Sequence, residues 1–119
     1  MQYVDGFVMA VQRRKLGHYK KLAKRAGKIW LEYGALEYRE CVGDDLKVKG
    51  AIPFPKLIRL KAGEVVVFSW ITYKSKGQRD RIMKKVMEDP RLADMMDPVA
   101  MPFDLKRMAC GGFKTLVSF

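Results

Sequence analysis

EVVVFSWITY, residues 64–73, is the strongest strand in the sequence: a run of β-branched and aromatic residues without Gly or Pro. Alternation along a strand sends Val66, Phe68 and Trp70 to one face and Val65, Val67 and Ile71 to the other. Both sets are apolar, and Ser69 is the polar exception. A sheet covered by helices on one side ordinarily shows polar residues on its open side. This strand therefore predicts a cover on both faces: helices on one, and a second protein layer, a ligand or another subunit on the other. In a chain of 119 residues, read as a single domain over 1–119 with two packed layers, another subunit is the expectation.

Upstream of this strand, YVDGFVMAV (3–11) alternates and reads as a first strand, with Gly6 marking a bulge or a close backbone neighbour. From Arg13 the apolar spacing changes to three and four, through Leu16, Tyr19, Leu22, Ala23, Ala26, Ile29, Trp30 and Tyr33, which predicts a helix closed by Gly34. Gly27 within it allows a second element to pack closely. ALEYRECV (35–42) alternates again as a second strand. After a loop with Pro53 and Pro55, KLIRLK (56–61) reads as extended and as the hairpin partner of 64–73 across Ala62-Gly63.

Downstream, SKGQ (75–78) has capping-box spacing and opens a second helix with the stripe Ile82, Met83, Val86 and Met87. Asp89-Pro90 starts a short helix to about Met96, and a Met- and Pro-rich connector leads to a last strand over 107–119, with a bulge expected at Gly111-Gly112. The order is that of an α+β, ferredoxin-like βαββαβ fold with an antiparallel sheet ordered four-one-three-two. Strands two and four then lie at opposite edges, roughly 14 Å apart at ~4.8 Å per strand. Cys41 and Cys110 are accordingly expected as free thiols.

Lysine and arginine number 24 against 13 acidic residues, a net charge of +11 that suits nucleic acid or another polyanion and equally a self-repelling, soluble surface. No apolar run reaches the ~18–20 residues of a membrane span. The N-terminal stretch lacks a basic leader and a long apolar segment, so a cytoplasmic protein is expected. Two distant cysteines and one histidine argue against a metal centre, and no phosphate-binding glycine loop is present, so no cofactor is expected.

YVDGFV, the KxWLEYGALEYxECVGDD run, VVFSWI, DPRLADMMDP and MPFDLKRMACGGF together resemble the YbaA-like family of uncharacterised bacterial proteins, domain of unknown function 1428, over nearly the whole chain. The resemblance implies the dimeric α+β barrel superfamily, in which two ferredoxin-like subunits pack sheet to sheet, and hence a homodimer. It brings no activity and no catalytic residues. Leu105 stands where the family often has Gly, which would strain a leucine if that position required φ > 0. The superfamily includes cofactor-free monooxygenases and haem enzymes, a likeness of fold that does not fix function.

For function, two classes emerge. The first is a small-molecule binding protein or cofactor-free enzyme, its pocket between sheet and helices lined by Tyr33, Trp70, Tyr73, Met101 and Phe103. Asp5, a carboxylate on an apolar strand, needs a partner or titrates high; Arg107 is the expected partner, and the two are the catalytic candidates. The second class is a polyanion-binding module that uses Lys20, Lys21, Lys24, Arg25 and Lys28 on the outer face of the first helix. His18, on that same face, has no catalytic neighbour in sequence.

Overall fold

β1 (Tyr3–Gln12) and β3 (Glu64–Tyr73) pair antiparallel over their whole length, from Tyr3 against Tyr73 to Gln12 against Glu64. β2 (Glu37–Val42) adds to the outer edge of β3 and β4 (Ala109–Lys114) to the outer edge of β1, giving the order β2-β3-β1-β4. This is the ferredoxin-like α+β arrangement expected from the element order. The computed structural model describes residues 1–93 and 101–119. The expected helix to Met96 is seen as a 3-10 turn over Pro90–Leu92; Met95, Met96 and the rest of that expectation lie outside the described residues.

α1 (Leu16–Glu32) follows a 3-10 turn at Arg13–Lys15 and ends at Gly34, whose φ of +112° suits glycine. α3 (Lys76–Glu88) is capped by Ser75, whose Oγ accepts from the Gln78 backbone N–H at 3.1 Å. Gln78 reaches one residue further back than a capping box prescribes, its Oε1 accepting from the Lys74 N–H at 2.6 Å. Both helices pack on the face of the sheet that carries Phe7, Met9, Val11, Val67, Ile71 and Tyr73, where two of the three core clusters lie.

The segment KLIRLK is not a strand. Pro53 and Pro55 set the start of a single helical turn, α2 (Phe54–Leu57), and the chain then reverses through Arg59 at φ 52°. Six residues of mixed apolar and basic side chains are too few to tell a strand from a turn. Ile58 and Leu60 bury instead on the other face of the sheet, with Leu46, against Val8, Ala10 and Val66. One end of the open face is thus covered by the chain itself. The remainder is not: Phe68 is 40% exposed and Phe113 62%, with the Trp70 ring tilted against Phe68 at 5.6 Å and the Phe54 ring edge-on to it at 5.8 Å.

The bulge expected at Gly111-Gly112 is absent, because β4 pairs in unbroken register from Tyr3–Lys114 to Val8–Ala109. The glycines answer a packing need: a Cβ on Gly112 would lie 2.7 Å from the Tyr3 ring. The strand ends at Lys114 rather than at the C-terminus, and Leu116, Val117 and Phe119 are exposed. Cys41 and Cys110 are free, on β2 and β4 at opposite edges. Leu105 begins a 3-10 turn, and the one non-glycine residue with positive φ among the described residues is Arg59, so the leucine is not strained there.

Gly27 sets how closely α1 approaches β2. A Cβ there would stand 2.8 Å from Cδ1 of Tyr38. Alanine improves helix propensity by about 1 kcal/mol over glycine, while overpacking a fixed aromatic costs about 1–3 kcal/mol. Gly27→Ala is expected to lower stability by about 1 kcal/mol, read from thermal or urea unfolding; a gain in stability would show that Tyr38 is not held in place.

Candidate functional site

A cavity of about 270 Å³ opens between the helix-bearing face of the sheet and α1 and α3. Phe7 and Met9 of β1 and Ile71 of β3 form its floor; Leu22, Ala23, Ala26 and Trp30 of α1 and Met83 and Met87 of α3 form its walls. The connector after the undescribed residues closes one side with Met101, Pro102, Phe103, Leu105 and Met108. Five of the eight methionines in the chain therefore line one space, which matters because methionine adapts its shape to what it touches. The volume is just below the ~300 Å³ at which ligand pockets of ordinary size begin, which suits a small molecule.

The polar part of the wall is one cluster. Alternation on β2 puts Tyr38 and Glu40 on the helix-facing side, and the β2–β3 register sets Glu40 directly opposite Ser69. Tyr19, one turn into α1, donates its hydroxyl to Glu40, 2.6 Å from Oε2 and 2.9 Å from Oε1. The Tyr38 hydroxyl lies 3.4 Å from Oε2. Tyr19 also meets the edge of Phe103 at 6.0 Å, which ties the polar cluster to the connector. Burial pushes the Glu40 carboxyl above its ordinary value, and the hydroxyls of Tyr19, Ser69 and Tyr38 hold back part of that rise. Tyr19 and Tyr38 are themselves pushed up, first by burial and then by the Glu40 charge, so both remain O–H donors.

A carboxyl group whose pKa is raised by folding is easier to bury protonated. Its cost is absent below the ordinary glutamate value of 4.5, where the folded and unfolded chains are both protonated, and is complete once pH has risen past the raised value. Glu40→Gln, which keeps the shape and the acceptor, is expected to be more stable than wild type at pH 8 by about 1 kcal/mol, or ~3–5 °C in Tm. The difference should shrink toward pH 4. Equal melting points at both pH values would contradict the assignment of a buried, reluctant charge.

Asp5 does not meet Arg107. Its cation is Arg79 of α3, with Nε 3.8 Å from Oδ1, and the Tyr73 hydroxyl on the neighbouring strand favours its charge. Burial still raises the Asp5 carboxyl, more than Arg79 and Tyr73 lower it. Trp30 Nε1 donates to the Tyr73 hydroxyl at 3.1 Å, and Arg79 Nη2 donates to Tyr3 at 3.1 Å, so the strand carboxylate sits in a buried polar chain of its own. Arg79, which also lies 3.3 Å from Asp80, reaches Asp5 because α3 crosses the Tyr3 end of β1. Arg107 instead binds Glu64 with both terminal nitrogens, at 2.6 and 2.7 Å, and Asp104 at 3.0 Å.

Of the five expected pocket residues, Met101 and Phe103 line the cavity. Tyr73 is fully buried in the core beneath Trp30. Tyr33 lies at the end of α1, its hydroxyl donating to Asp89 at 2.7 Å. Trp70 is on the opposite face of the sheet, with Nε1 donating to Glu37 at 2.5 Å; grouping it with the helix-side residues ignored the alternation that places it with Phe68. Lys20, Lys21, Lys24, Arg25 and Lys28 are all exposed on α1, and none has a carboxylate within salt-bridge distance among the described residues. His18 is exposed on the same helix. Glu40 escaped attention in the sequence, and Tyr19 was read only as part of the α1 stripe. The one signal for Glu40 is that Tyr38-x-Glu40 puts a carboxylate on the same face of β2 as an aromatic residue.

Residues 2–105 match the family described as protein of unknown function, DUF1428. The chain is 41% identical over 117 residues to the uncharacterized protein YbaA of Escherichia coli K12, covering 98% of each. It is similar in fold to a dimeric ferredoxin-like protein from an uncultured marine organism, with TM-score 0.62, 8% identity and complete coverage of both chains. A NIPSNAP family protein from Agrobacterium tumefaciens aligns with TM-score 0.59 and 16% identity over 96% of this chain and 92% of that one. No helix among the described residues is long and apolar enough to cross a membrane.

Proposed function

The chain belongs to the DUF1428 family, and on that premise we propose that it is a homodimeric protein that binds a small, largely apolar molecule between its helices and its sheet. The observation that carries this is the cavity itself: apolar on nearly every side, soft with methionine, and polar at the cluster of Glu40, Tyr19, Tyr38 and Ser69 and at Arg39 beside it. The second subunit is supported by the part of the open face left uncovered around Phe68, Trp70 and Phe113. A fold neighbour described as dimeric is consistent with it.

Trp30 lines the cavity and Trp70, the other tryptophan, is on the far side of the sheet, so fluorescence separates the two surfaces. In a Trp70→Phe background, the small apolar quencher 4-nitroanisole is expected to quench Trp30 saturably. Ala23→Phe, which fills the cavity, is expected to weaken that binding at least tenfold. Unsaturable quenching, or no change on filling the cavity, contradicts the reading.

A second reading rests on the five unpaired cations of α1 among the described residues, Lys20 to Lys28. A face of that kind binds polyanions in a salt-dependent way. Affinity for mixed-sequence oligonucleotides that falls steeply with salt and is lost in Lys20→Glu/Lys24→Glu/Lys28→Glu would favour it; salt-insensitive or unmeasurable binding would dismiss it.

A further inference from the structure

The Glu40 cluster has more than binding in it. A carboxylate at the wall of an apolar cavity, carried on a strand and bonded by hydroxyls from two tyrosines, is arranged as a base with proton donors beside it. We propose that Glu40 is the general base of a proton-shift reaction, and that the ligand is a small apolar β,γ-unsaturated carbonyl compound. The proposal rests on the cavity being the ligand site.

The step balances without a cofactor. A Glu40 oxygen takes the proton from the carbon next to the carbonyl; that C–H bond breaks, an O–H bond forms on Glu40, and the electron pair spreads over the dienolate to its oxygen. Once Glu40 carries the proton it no longer needs the Tyr19 O–H, which is then available to turn to the dienolate oxygen as donor. Glu40 returns the proton to the carbon two positions along, the C–H bond forms there, and the product is the conjugated isomer with the carboxylate regenerated. No oxidant or reductant is consumed.

The surroundings suit a base of this kind. On the described elements facing Glu40, the titratable groups are Tyr19 from α1 and Tyr38 from the same strand; β1, α3 and the connector contribute apolar side chains to the cavity. Arg39, the other charged residue at the wall, sends its guanidinium to Glu37, 3.5 Å away on the opposite face. Among the described residues no cation pairs with Glu40, and its basicity is not quenched in the way that Arg107 quenches Glu64.

The test uses 3-cyclohexen-1-one, whose conversion to the conjugated enone is read by ultraviolet absorbance. The full chain is expected to accelerate it above an equal concentration of acetate, with a rate that rises with one ionisation above the ordinary glutamate range. Glu40→Gln is expected to lose about 100-fold of the rate, and Tyr19→Phe about tenfold. A merely structural Glu40 would leave the pH profile in place after substitution. Glu40→Gln with wild-type rate overturns the proposal. No acceleration by wild type, with saturable 4-nitroanisole quenching intact, also overturns it and leaves the cavity as a binding site; absence of that quenching overturns both.

Discussion

Arg107→Ala is expected to cost about 3 kcal/mol of stability, the size typical of a buried ion pair that loses one partner. Arg107 and Glu64 each have a side chain only 8% exposed, and the guanidinium takes the carboxylate with both terminal nitrogens. Its remaining contacts are Asp104 and the carbonyl oxygen of Arg59. One side chain thus ties together the start of β3, the turn after α2 and the end of the connector that closes the cavity. Removing it leaves Glu64 without its ion-pair partner, held only by the Lys61 backbone N–H at 2.7 Å and the more distant Lys61 charge. Arg107→Lys keeps the charge but not the fork, and is expected to fall between the two.

The loss should depend on pH in a particular direction. Arg107 holds the Glu64 carboxyl at about 2, below the ordinary 4.5. The pair therefore contributes fully above pH 4.5, and its contribution is lost as pH falls toward 2. Urea unfolding of wild type and Arg107→Ala should give curves that are far apart at pH 7 and converge in acid. A gap at pH 7 below about 1 kcal/mol, the level of an exposed pair, would contradict this account. Because the connector is the tethered element, affinity for 4-nitroanisole is expected to fall with it.

Phe68→Asp is expected to leave the protein monomeric. Phe68 stands between Phe54 and Trp70 at the centre of the uncovered part of the open face, 40% exposed in the single chain. Aromatic residues at the middle of an interface contribute about 2–4 kcal/mol each, so its loss alone weakens association by roughly 30- to 1,000-fold. A carboxylate there adds the cost of burying a charge. Light scattering after size exclusion should show two chains for wild type and one for Phe68→Asp, with Lys24→Glu on the outer helix still a dimer. A wild-type monomer at micromolar concentration, or an undisturbed Phe68→Asp dimer, would contradict the second subunit.

The sheet was legible because its signals are long and redundant. Eight β-branched or aromatic residues among ten fix β3, an apolar stripe along a seventeen-residue helix fixes α1, and together they leave one arrangement for four strands. KLIRLK misled because its apolar residues serve a different surface: Ile58 and Leu60 face the sheet from above instead of lying in it. The two-faced strand was read as needing a second cover, and part of that cover is the chain's own segment, with Ile58 and Leu60 on Val8, Ala10 and Val66.

The site was less legible. Charge partners are chosen by where elements cross, and a sequence does not carry that: Asp5 met Arg79, and Arg107 met Glu64. Glu40 looked like the polar half of an ordinary edge strand. Only the crossing of α1 over β2, made possible by Gly27 against Tyr38, shows that its side faces an apolar cavity and not water.

The cavity as ligand site is tested most directly by methionine methyl spectra of the full chain during titration with 4-nitroanisole. The methyls of Met9, Met83, Met87, Met101 and Met108 line the space, while Met1 is 85% exposed at the terminus. Saturable shifts of those five with Met1 unmoved are the predicted result. Saturable binding that leaves the five in place would put the ligand elsewhere and contradict the account.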